Sequence, residues 1–248
     1  MAPSRPSPKS RRASSAPTPS GRASRLAEIV AAAGRVVAEK GYERTQMSDV
    51  ARALGISAGN LYNYVESKEA LFHLLVEQGF GCVSPPPLPE GLVRTPAPGE
   101  TLALLRRRLV DEMSLPMLDA ALARRGPPRD ARGEVTAVVR ELYRVVGRNR
   151  QGIRVLERSA HEWPELAALF YAEMRRGMLD KLRRWIAGRI EQGVFVRVAE
   201  PAAAARFVNE SIAWFAMHRF ADYDAAKLDD RACEETAVML LANALLRR

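Results

Sequence analysis

The sequence predicts an all-α protein in which an N-terminal three-helix unit with a helix-turn-helix precedes a larger helical domain. Two observations predict this fold class. Apolar residues recur at spacings of three and four along most of the chain, which is the period of amphipathic helices. The one strand-like run, 194–198, is short and directly follows Gly193, so we interpret it as a connector between helices.

Composition limits the class of protein and of partner. The chain has 248 residues, of which 47% are apolar, and its formal net charge is +9. Such a balance favours nucleic acid or an anionic membrane surface as a partner. The two cysteines are far apart and form no CxxC, which argues against a disulfide framework or a cysteine-based zinc site. Without a bilayer-length apolar run or a secretory signal pattern, we expect a cytoplasmic protein that has no membrane partner.

The chain divides into four segments by composition. Residues 1–22 contain basic residues, proline, serine and alanine but no acid, and we expect a disordered basic tail. This tail is either a solubilising start or an arm that follows DNA phosphates or enters the minor groove. A helix-turn-helix domain is predicted over 23–80 and a helical effector-binding and dimerisation domain over 101–248. Between them, prolines mark a linker over 81–100, because proline removes an amide donor and restricts φ.

Four helices are predicted in the N-terminal domain. Their ranges are 25–40, 46–53, 58–64 and 68–79, with Ser24, Thr45, Ser57 and Ser67 as N-caps. Gly55 lies between the second and third helices, where a tight turn requires a left-handed backbone. A short helix supported by a second one in this way can enter the DNA major groove.

The third helix has the side chains that a reading helix needs. Val50, Leu54 and Leu61 face inward and anchor it. Asparagine can pair with adenine, and alanine can contact a thymine methyl group, so the outward residues suit base edges; they are Ala58, Gly59, Asn60 and Asn63. Tyrosine hydroxyls and a lysine suit phosphate oxygens, and these residues are Tyr62, Tyr64 and Lys68. The alternative is a plain helical bundle with half-buried tyrosines and a solvated Asn60.

These residues also carry a specific resemblance. The run AGRVVAEKGYERTQMSDVARALGISAGNLYNYVESKEALF resembles the DNA-binding region of the TetR (tetracycline-repressor) family of transcriptional regulators. The matching positions are Gly41-Tyr42 with Thr45, Asp49-Val50-Ala51, Gly55-Ile56-Ser57, Gly59, Leu61-Tyr62, Tyr64 and Ser67-Lys68-Glu69. The resemblance covers about 25–80. It departs at Val65, where the family usually has an aromatic residue, and at Glu66, which places an acid close to the phosphates.

The resemblance implies an all-helical homodimer that binds a palindromic DNA operator and usually represses transcription. A small molecule bound in the C-terminal domain separates the two reading helices and weakens the grip on DNA. By position, Thr45, Gln46 and Ser48 match the start of the second helix, which contacts the backbone and sometimes bases. The phosphate-facing and base-facing residues named above match the corresponding family positions.

The C-terminal domain reads as helices throughout. Their predicted ranges are 101–113, 116–124, 133–149, 151–162, 165–192, 201–220 and 230–247. The last two correspond to the helices that form a four-helix bundle between subunits in the family. Because the final helix has a wide apolar face, the predicted dimer residues are Val238, Leu241, Ala244 and Leu245. The alternative is a helix buried within its own domain.

A cavity for the effector is predicted among these helices. The candidate pocket residues are Tyr143, Glu157, His161, Phe170, Met174, Met178, Asn209, Trp214 and His218. Aromatic residues and methionines at such positions are also ordinary core residues. The polar ones are more informative, because a buried polar group needs a partner and a ligand can supply it. This lining suits a small hydrophobic or aromatic effector.

Other classes of function have less support in the sequence. The three histidines form no HExxH, and no GxSxG, P-loop or GxGxxG stands in a suitable context, so we predict no catalysis, no metal and no cofactor. Two further alternatives remain. One is a nonspecific nucleic-acid binder that depends on the basic tail. The other is an all-helical ligand-binding or enzymatic protein whose N-terminal helices have lost DNA recognition.

Overall fold

The structure, a computed structural model, describes residues 19–79 and 86–247, and it is all-α as predicted. Its helices are α1 Pro19–Lys40, α2 Met47–Ala53, α3 Ala58–Tyr62, α4 Lys68–Gln78, α5 Glu100–Glu112, α6 Pro116–Ala123, α7 Ala131–Ala160, α8 Pro164–Ala167, α9 Arg176–Glu191, α10 Pro201–Ala216 and α11 Asp230–Leu245. A π-helical segment, Ala168–Arg175, joins α8 to α9. Within the described ranges, none of these helices is long and apolar enough to cross a bilayer.

Helix α1 begins earlier than the sequence predicted. It starts at Pro19, so Ser24 lies inside the helix and is not its N-cap, and Arg22 belongs to α1 rather than to a disordered tail. Long-range bonds explain the difference: the Arg22 guanidinium donates to the carbonyl oxygens of Asn63 at 3.1 Å and Gly91 at 3.0 Å. Residues 1–18 of the predicted tail lie outside the described residues.

Helix α2 is capped by Gln46 rather than by Thr45. The Gln46 amide donates to Asp49 Oδ2 at 3.0 Å, which satisfies a donor at the helix start. Thr45 is instead buried, and its hydroxyl donates to the Gly41 carbonyl at 2.7 Å. Gly41 has a φ of +85°, so the chain turns sharply out of α1 at this point, and the threonine hydroxyl closes that turn.

Helices α3 and α4 begin where the sequence predicted. The Ser57 hydroxyl accepts from the Asn60 amide at 3.2 Å, and the Ser67 hydroxyl accepts from the Ala70 amide at 3.0 Å. Gly55 has the positive φ, +66°, that the turn before α3 requires. Helix α3 ends at Tyr62, two residues earlier than predicted, because the chain then turns towards α4.

The second half of the proline-rich segment packs on the N-terminal helices. The Val93 amide donates to the Tyr64 carbonyl, and the Glu66 amide donates to the Val93 carbonyl, both at 2.9 Å. Val65 is fully buried and pairs with Val93, which belongs to the same core cluster. Glu66 accepts from the Thr95 amide at 2.7 Å. Val93 therefore adds to the core behind α3, and Glu66 ties the segment down.

Helix α7 is one helix of 30 residues, whereas the sequence predicted two helices split near Arg150. It packs on α1, α10 and α11, and its buried face extends along its whole length. Neither Gly147 nor Gly152 interrupts it, because neighbouring helices cover this stretch, and a helix glycine costs only about 1 kcal/mol relative to alanine. The predicted break was wrong for this tertiary reason.

The last elements also differ in part from the sequence prediction. Helix α10 ends at Ala216, and a 3-10 turn follows over His218–Ala221. Arg219 in this turn is fully buried and donates to the Phe215 and Leu228 carbonyl oxygens at 2.7 and 2.9 Å, which takes the chain out of the helix. The 194–198 run is a connector as predicted, and the Val196 amide donates to the Leu245 carbonyl at 2.9 Å.

A buried ion pair joins the helices of the C-terminal core. The Arg189 guanidinium donates twice to the Glu134 carboxylate, at 2.6 and 2.9 Å, and once to the Ala121 carbonyl at 2.8 Å. The Trp185 indole donates to the same carboxylate at 3.1 Å. Burial would raise the pKa of Glu134, but these hydrogen bonds and the charge of Arg189 hold it below its ordinary value. The pair fixes α7, α9 and the end of α6 to one another.

Candidate DNA-binding surface and ligand cavity

The helix-turn-helix presents a compact polar surface, which we call the α2–α3 surface. It comprises Gln46, Ser48, Ala58, Gly59, Asn60, Tyr62 and Asn63. All of these residues are exposed except Ala58, which is half-buried. Leu61 anchors α3 from behind and is fully buried, and the Ile56 amide donates to the Ala51 carbonyl at 3.0 Å to hold the turn. Seven of the ten predicted DNA-binding residues thus lie together.

The other three are placed differently. Thr45 is only 3% exposed and uses its hydroxyl within the α1–α2 turn, so it does not belong to the α2–α3 surface. Tyr64 is half-buried, and the Arg22 guanidinium lies 4.8 Å from the centre of its ring. The sequence did not indicate this role for Arg22, since it depends on a contact 41 residues away.

Lys68 has an internal role. Its ammonium group donates to the carbonyl oxygens of Tyr42 at 3.3 Å and Glu43 at 3.2 Å, and it lies 4.4 Å from the centre of the Tyr42 ring. Two of its three N–H donors are used on these carbonyls, and the group also forms an ion pair with the Glu43 carboxylate at 3.9 Å. Lys68 therefore holds the loop between α1 and α2 in place beside the α2–α3 surface.

The C-terminal domain contains a cavity of about 520 Å³, which is in the size range of small-molecule sites. Six of the nine predicted pocket residues line it: Glu157, Phe170, Met174, Met178, Asn209 and His218. The sequence placed helices over 101–113 and 133–162 around the cavity, but it did not single out the lining residues of this region, among them Leu109, Met113, Val145, Val146 and Ile153. These residues look like ordinary core positions in the sequence, and only the packing of the helices reveals the gap between them.

Three predicted pocket residues do not line the cavity. Tyr143 is buried elsewhere, and its hydroxyl donates to Asp230 Oδ1 at 3.0 Å, which joins α7 to α11. His161 is exposed at the C-cap of α7. Trp214 is exposed on the outer face of α10. Their spacing along the helices is compatible with a cavity wall, but the rotation of each helix in the fold directs them elsewhere.

Most charged groups of the cavity lining are paired with each other or with a neighbour. Arg106 pairs with Glu173 at 2.7 Å, as does Lys181 with Asp119. Arg175 pairs with a carboxylate outside the lining, that of Glu210, at 2.9 Å. Among the residues that the structure describes, no group of three or more His, Cys, Asp or Glu side chains is placed to hold a metal ion.

Glu157 differs from the other cavity carboxylates. Within the described part of the chain it forms neither an ion pair nor a hydrogen bond of its side chain, although Tyr171, Arg175 and His218 lie near enough to interact electrostatically. Burial raises the pKa of Glu157; the charges of His218, Arg175 and Arg154 oppose this only in part, and the charge of Glu210 adds to it.

The cavity-lining helices also contact the N-terminal domain. Tyr42, Phe72 and Trp163 stack in a cluster whose ring centres are 4.6 to 5.8 Å apart. The Tyr42 amide donates to the Ser159 hydroxyl at 3.1 Å, near the end of α7. A side chain at Gly41 would meet the Arg158 carbonyl oxygen at 3.1 Å, so the two backbones approach closely here. Helix α7 thus connects the cavity wall to the loop that precedes α2.

The apolar face of α11 is not arranged as the sequence predicted. Val238, Leu241 and Leu245 are buried within the protomer, so they cannot reach a second subunit without leaving the core. Of the predicted dimer residues, only Ala244 is exposed. Helix α11 is apolar on two sides, and the sequence alone does not tell which side faces inward.

The outer side of α10 and α11 exposes four large apolar residues. We call it the α10–α11 face: Phe207 is 64% exposed, Trp214 41%, Met239 52% and Leu240 54%.

Comparison with known proteins agrees with this arrangement. Residues 29–75 match the family of bacterial regulatory proteins, tetR family. The chain is 27% identical over 227 residues to the uncharacterized HTH-type transcriptional regulator YfiR of Bacillus subtilis (strain 168), with 89% of this chain and 92% of the relative covered.

Two solved regulators have a similar fold. The ketosteroid transcriptional regulator KstR2 of Mycobacterium tuberculosis superposes with a TM-score of 0.53 at 15% identity, covering 90% of this chain and 96% of that one. AibR, solved in complex with isovaleryl coenzyme A and operator DNA, gives a TM-score of 0.51 at 18% identity, covering 88% and 97%. The family match lies on the helix-turn-helix, and the similarity to YfiR extends over most of the chain. Residues 29–75 therefore match the DNA-binding region of the tetR family, and over most of its length the chain is similar to an HTH-type transcriptional regulator.

Proposed function

We propose that the protein is a homodimeric repressor that binds a palindromic operator and releases it when a small hydrophobic or aromatic molecule enters the cavity. The observation that carries this proposal is the continuity of α7. This helix forms part of the cavity wall and, at its end, bonds to the loop in front of the helix-turn-helix.

Operator recognition is assigned to the α2–α3 surface. Asn60 and Asn63 are exposed on α3 and can each make a bidentate pair with adenine in the major groove. The Tyr62 hydroxyl is suited to phosphate oxygens, and so is the Lys68 ammonium group if a phosphate replaces its 3.9 Å ion pair with Glu43; such contacts set register and orientation. Thr45 is not included, because its hydroxyl is buried and used within the protein.

Dimer formation is assigned to the α10–α11 face. Large exposed apolar side chains on adjacent helices mark a protein interface, and a self-complementary face joins two copies about a two-fold axis. Ala244 lies on the same exposed side of α11 and leaves room for close approach. Such a dimer presents two α3 helices to successive major grooves, which lie roughly 34–36 Å apart.

Ligand response is assigned to the contact between the two domains. A ligand that moves α7 or the π-helical segment shifts Ser159 and Trp163 against Tyr42, and so changes the spacing of the two reading helices. Such a ligand releases DNA only if it binds the DNA-incompetent arrangement more tightly. AibR, which has the same fold, was solved with isovaleryl coenzyme A and operator DNA together, and this supports the division between a ligand domain and a DNA domain.

The test combines three measurements on the full chain. Light scattering gives the oligomeric state, and fluorescence anisotropy with an inverted repeat from the upstream region gives operator affinity. Titration of compounds that bind the C-terminal domain then measures release. We expect a dimer, sequence-preferring binding and release by at least one compound. A monomer, binding to no duplex at modest ionic strength, or no release by any compound that binds would each contradict the proposal.

A further inference from the structure

We propose that the effector is a hydrophobic molecule with a protonated amine, and that Glu157 is the carboxylate that receives it inside the cavity. This inference rests on the proposed ligand response and specifies its ligand class. It depends on the balance of charges in the lining, on the position of Glu157 and on the size of the cavity.

The cations of the cavity wall are already neutralised. Arg106, Lys181 and Arg175 each have a carboxylate within 2.7 to 2.9 Å. An anionic ligand would have to compete with a carboxylate for each of these groups. The Arg106 pair is also largely exposed, so it lies at the mouth of the cavity and is screened by solvent.

Glu157 is the carboxylate of the lining that remains unmatched in the part of the chain that the structure describes. His218 lines the same cavity, but no ion pair or hydrogen bond joins it to Glu157 among the described residues. Asn209, whose amide N–H donates to Glu210 at 3.1 Å, also lines this cavity and can accept through its amide oxygen. Glu157 and Asn209 thus add acceptors to the cavity.

The surroundings of Glu157 explain why a cation is the favoured partner. Ile153 lies one turn earlier on α7, and Phe170 and Met174 face the same cavity, so much of the wall is apolar. An ionised carboxylate in such surroundings is costly unless it is paired, and burial accordingly raises its pKa. A ligand ammonium group restores the pairing and makes a charge-assisted hydrogen bond. A neutral ligand of the same shape leaves the carboxylate unpaired.

The experiment uses three probes that share one aromatic body of a size suited to a cavity of about 520 Å³. They are 2-naphthylmethylamine, 2-naphthalenemethanol and 2-naphthoic acid, which are cationic, neutral and anionic at pH 7. Calorimetric titration into the full chain gives each Kd. We expect the amine to bind at least about tenfold more tightly than the alcohol, because a hydrogen bond between charged groups is stronger than a neutral one.

Two variants locate the effect. Glu157→Gln keeps the shape of the side chain and removes its charge, so the amine should lose its advantage over the alcohol. The matched control is Glu165→Gln, an exposed glutamate of α8 outside the cavity, which should keep the full preference. Should Glu157→Gln fail to fold, the ranking of the three probes on the unaltered chain still decides whether the cavity prefers a cationic ligand.

Several results would overturn the inference: the alcohol or the acid binding as tightly as the amine, an amine preference that survives Glu157→Gln, or no binding of any probe. Operator binding is measured on the same samples. Release of DNA by the alcohol or the acid would leave the proposed function intact while removing this inference. If the unaltered chain without ligand did not bind the operator, the proposed function itself would be refuted.

Discussion

The α2–α3 surface and the cavity differ in how their residues are brought together. The surface takes its residues from one short stretch, Gln46 to Asn63, and most of them are exposed. They lie on two short helices whose first amides bond to the side chains of Asp49 and Ser57, which belong to the same stretch. The cavity takes its residues from α5, α6, α7, the π-helical segment, α9 and α10, which are far apart in the chain. The surface is therefore determined by local interactions, whereas the cavity depends on the mutual packing of distant helices.

This difference predicts how each region responds to substitution. An exposed residue of the α2–α3 surface can be changed with little loss of stability, so the effect should appear in DNA binding. A residue that fixes the helices around the cavity should affect stability first. Substitutions in the two regions therefore test that distinction.

Glu134→Ala should destabilise the C-terminal domain most strongly. It leaves Arg189 buried without its carboxylate, and the loss of one partner of a buried pair costs about 3–5 kcal/mol. Since 1 kcal/mol shifts the Tm of a chain of this size by roughly 2–4 °C, we expect a decrease of roughly 10 °C in differential scanning calorimetry. Glu191→Ala, at the exposed end of α9, is the control. A Tm change under about 2 °C would show that this pair does not hold the helices.

Trp163→Ala should weaken the connection between the two regions. The indole packs against Tyr42 at 5.2 Å and Phe72 at 5.8 Å between ring centres, and it is half-buried, so its removal should cost about 2 kcal/mol. Operator binding should persist, while a higher ligand concentration should be needed for release. Tyr223→Ala removes an exposed aromatic and should change neither. Unaltered release by Trp163→Ala would exclude this contact as the coupling route.

Asn60→Ala should change sequence preference without changing stability. Loss of a base contact should reduce operator affinity by about 1–3 kcal/mol and leave affinity for random DNA almost unaffected. Lys68→Ala should instead weaken binding to both duplexes alike and flatten the dependence on salt, because Lys68 positions the loop at the backbone-facing side. Anisotropy titrations at several salt concentrations compare the two variants. Equal losses on both duplexes for Asn60→Ala would refute a base-reading role.

Glu157→Gln should have the smallest effect on stability, and the effect should depend on pH. The pKa of Glu157 is raised above its ordinary value of 4.5 in the folded protein, so the folded state loses stability as pH rises from about 4.5 through that raised pKa. The glutamine variant escapes this loss. Its Tm should exceed that of the unaltered protein at pH 7–8, and the difference should vanish below about pH 4.5. A Tm difference that is the same at pH 4 and pH 8 would contradict this assignment.

Features that depend on neighbouring residues in the chain were predicted well from the sequence, as the helix caps show. Ser57 and Ser67 were predicted as caps, and they cap α3 and α4, since a cap depends on the three residues that follow it. Gly55 was predicted in the turn for a similarly local reason. Thr45 shows the limit even here: its type suits a cap, but the bend at Gly41 brings a carbonyl to its hydroxyl and buries both.

Predictions that depended on which way a helix faces were less accurate. Val238, Leu241 and Leu245 were assigned to a dimer interface, and they lie in the protomer core. Trp214 was assigned to the cavity and is exposed on the α10–α11 face, the proposed dimer surface. In each case the helix was predicted correctly. On a helix that is apolar on two sides, however, the sequence does not show whether an apolar residue packs against the core, a ligand or a second subunit.

The sequence by itself determined the all-α class, the caps of α3 and α4, the turn at Gly55 and the resemblance of the N-terminal region to the TetR family, because each depends on residues near one another in the chain. The tertiary structure alone decided the early start of α1 through Arg22, the unbroken course of α7, the outline of the cavity and the exposed side of α11. These features depend on contacts between residues up to more than one hundred positions apart, such as Tyr42 with Ser159. Local periodicity shows that a side chain is apolar or polar, but only the packing of the helices determines whether it meets the core, a ligand or a second subunit.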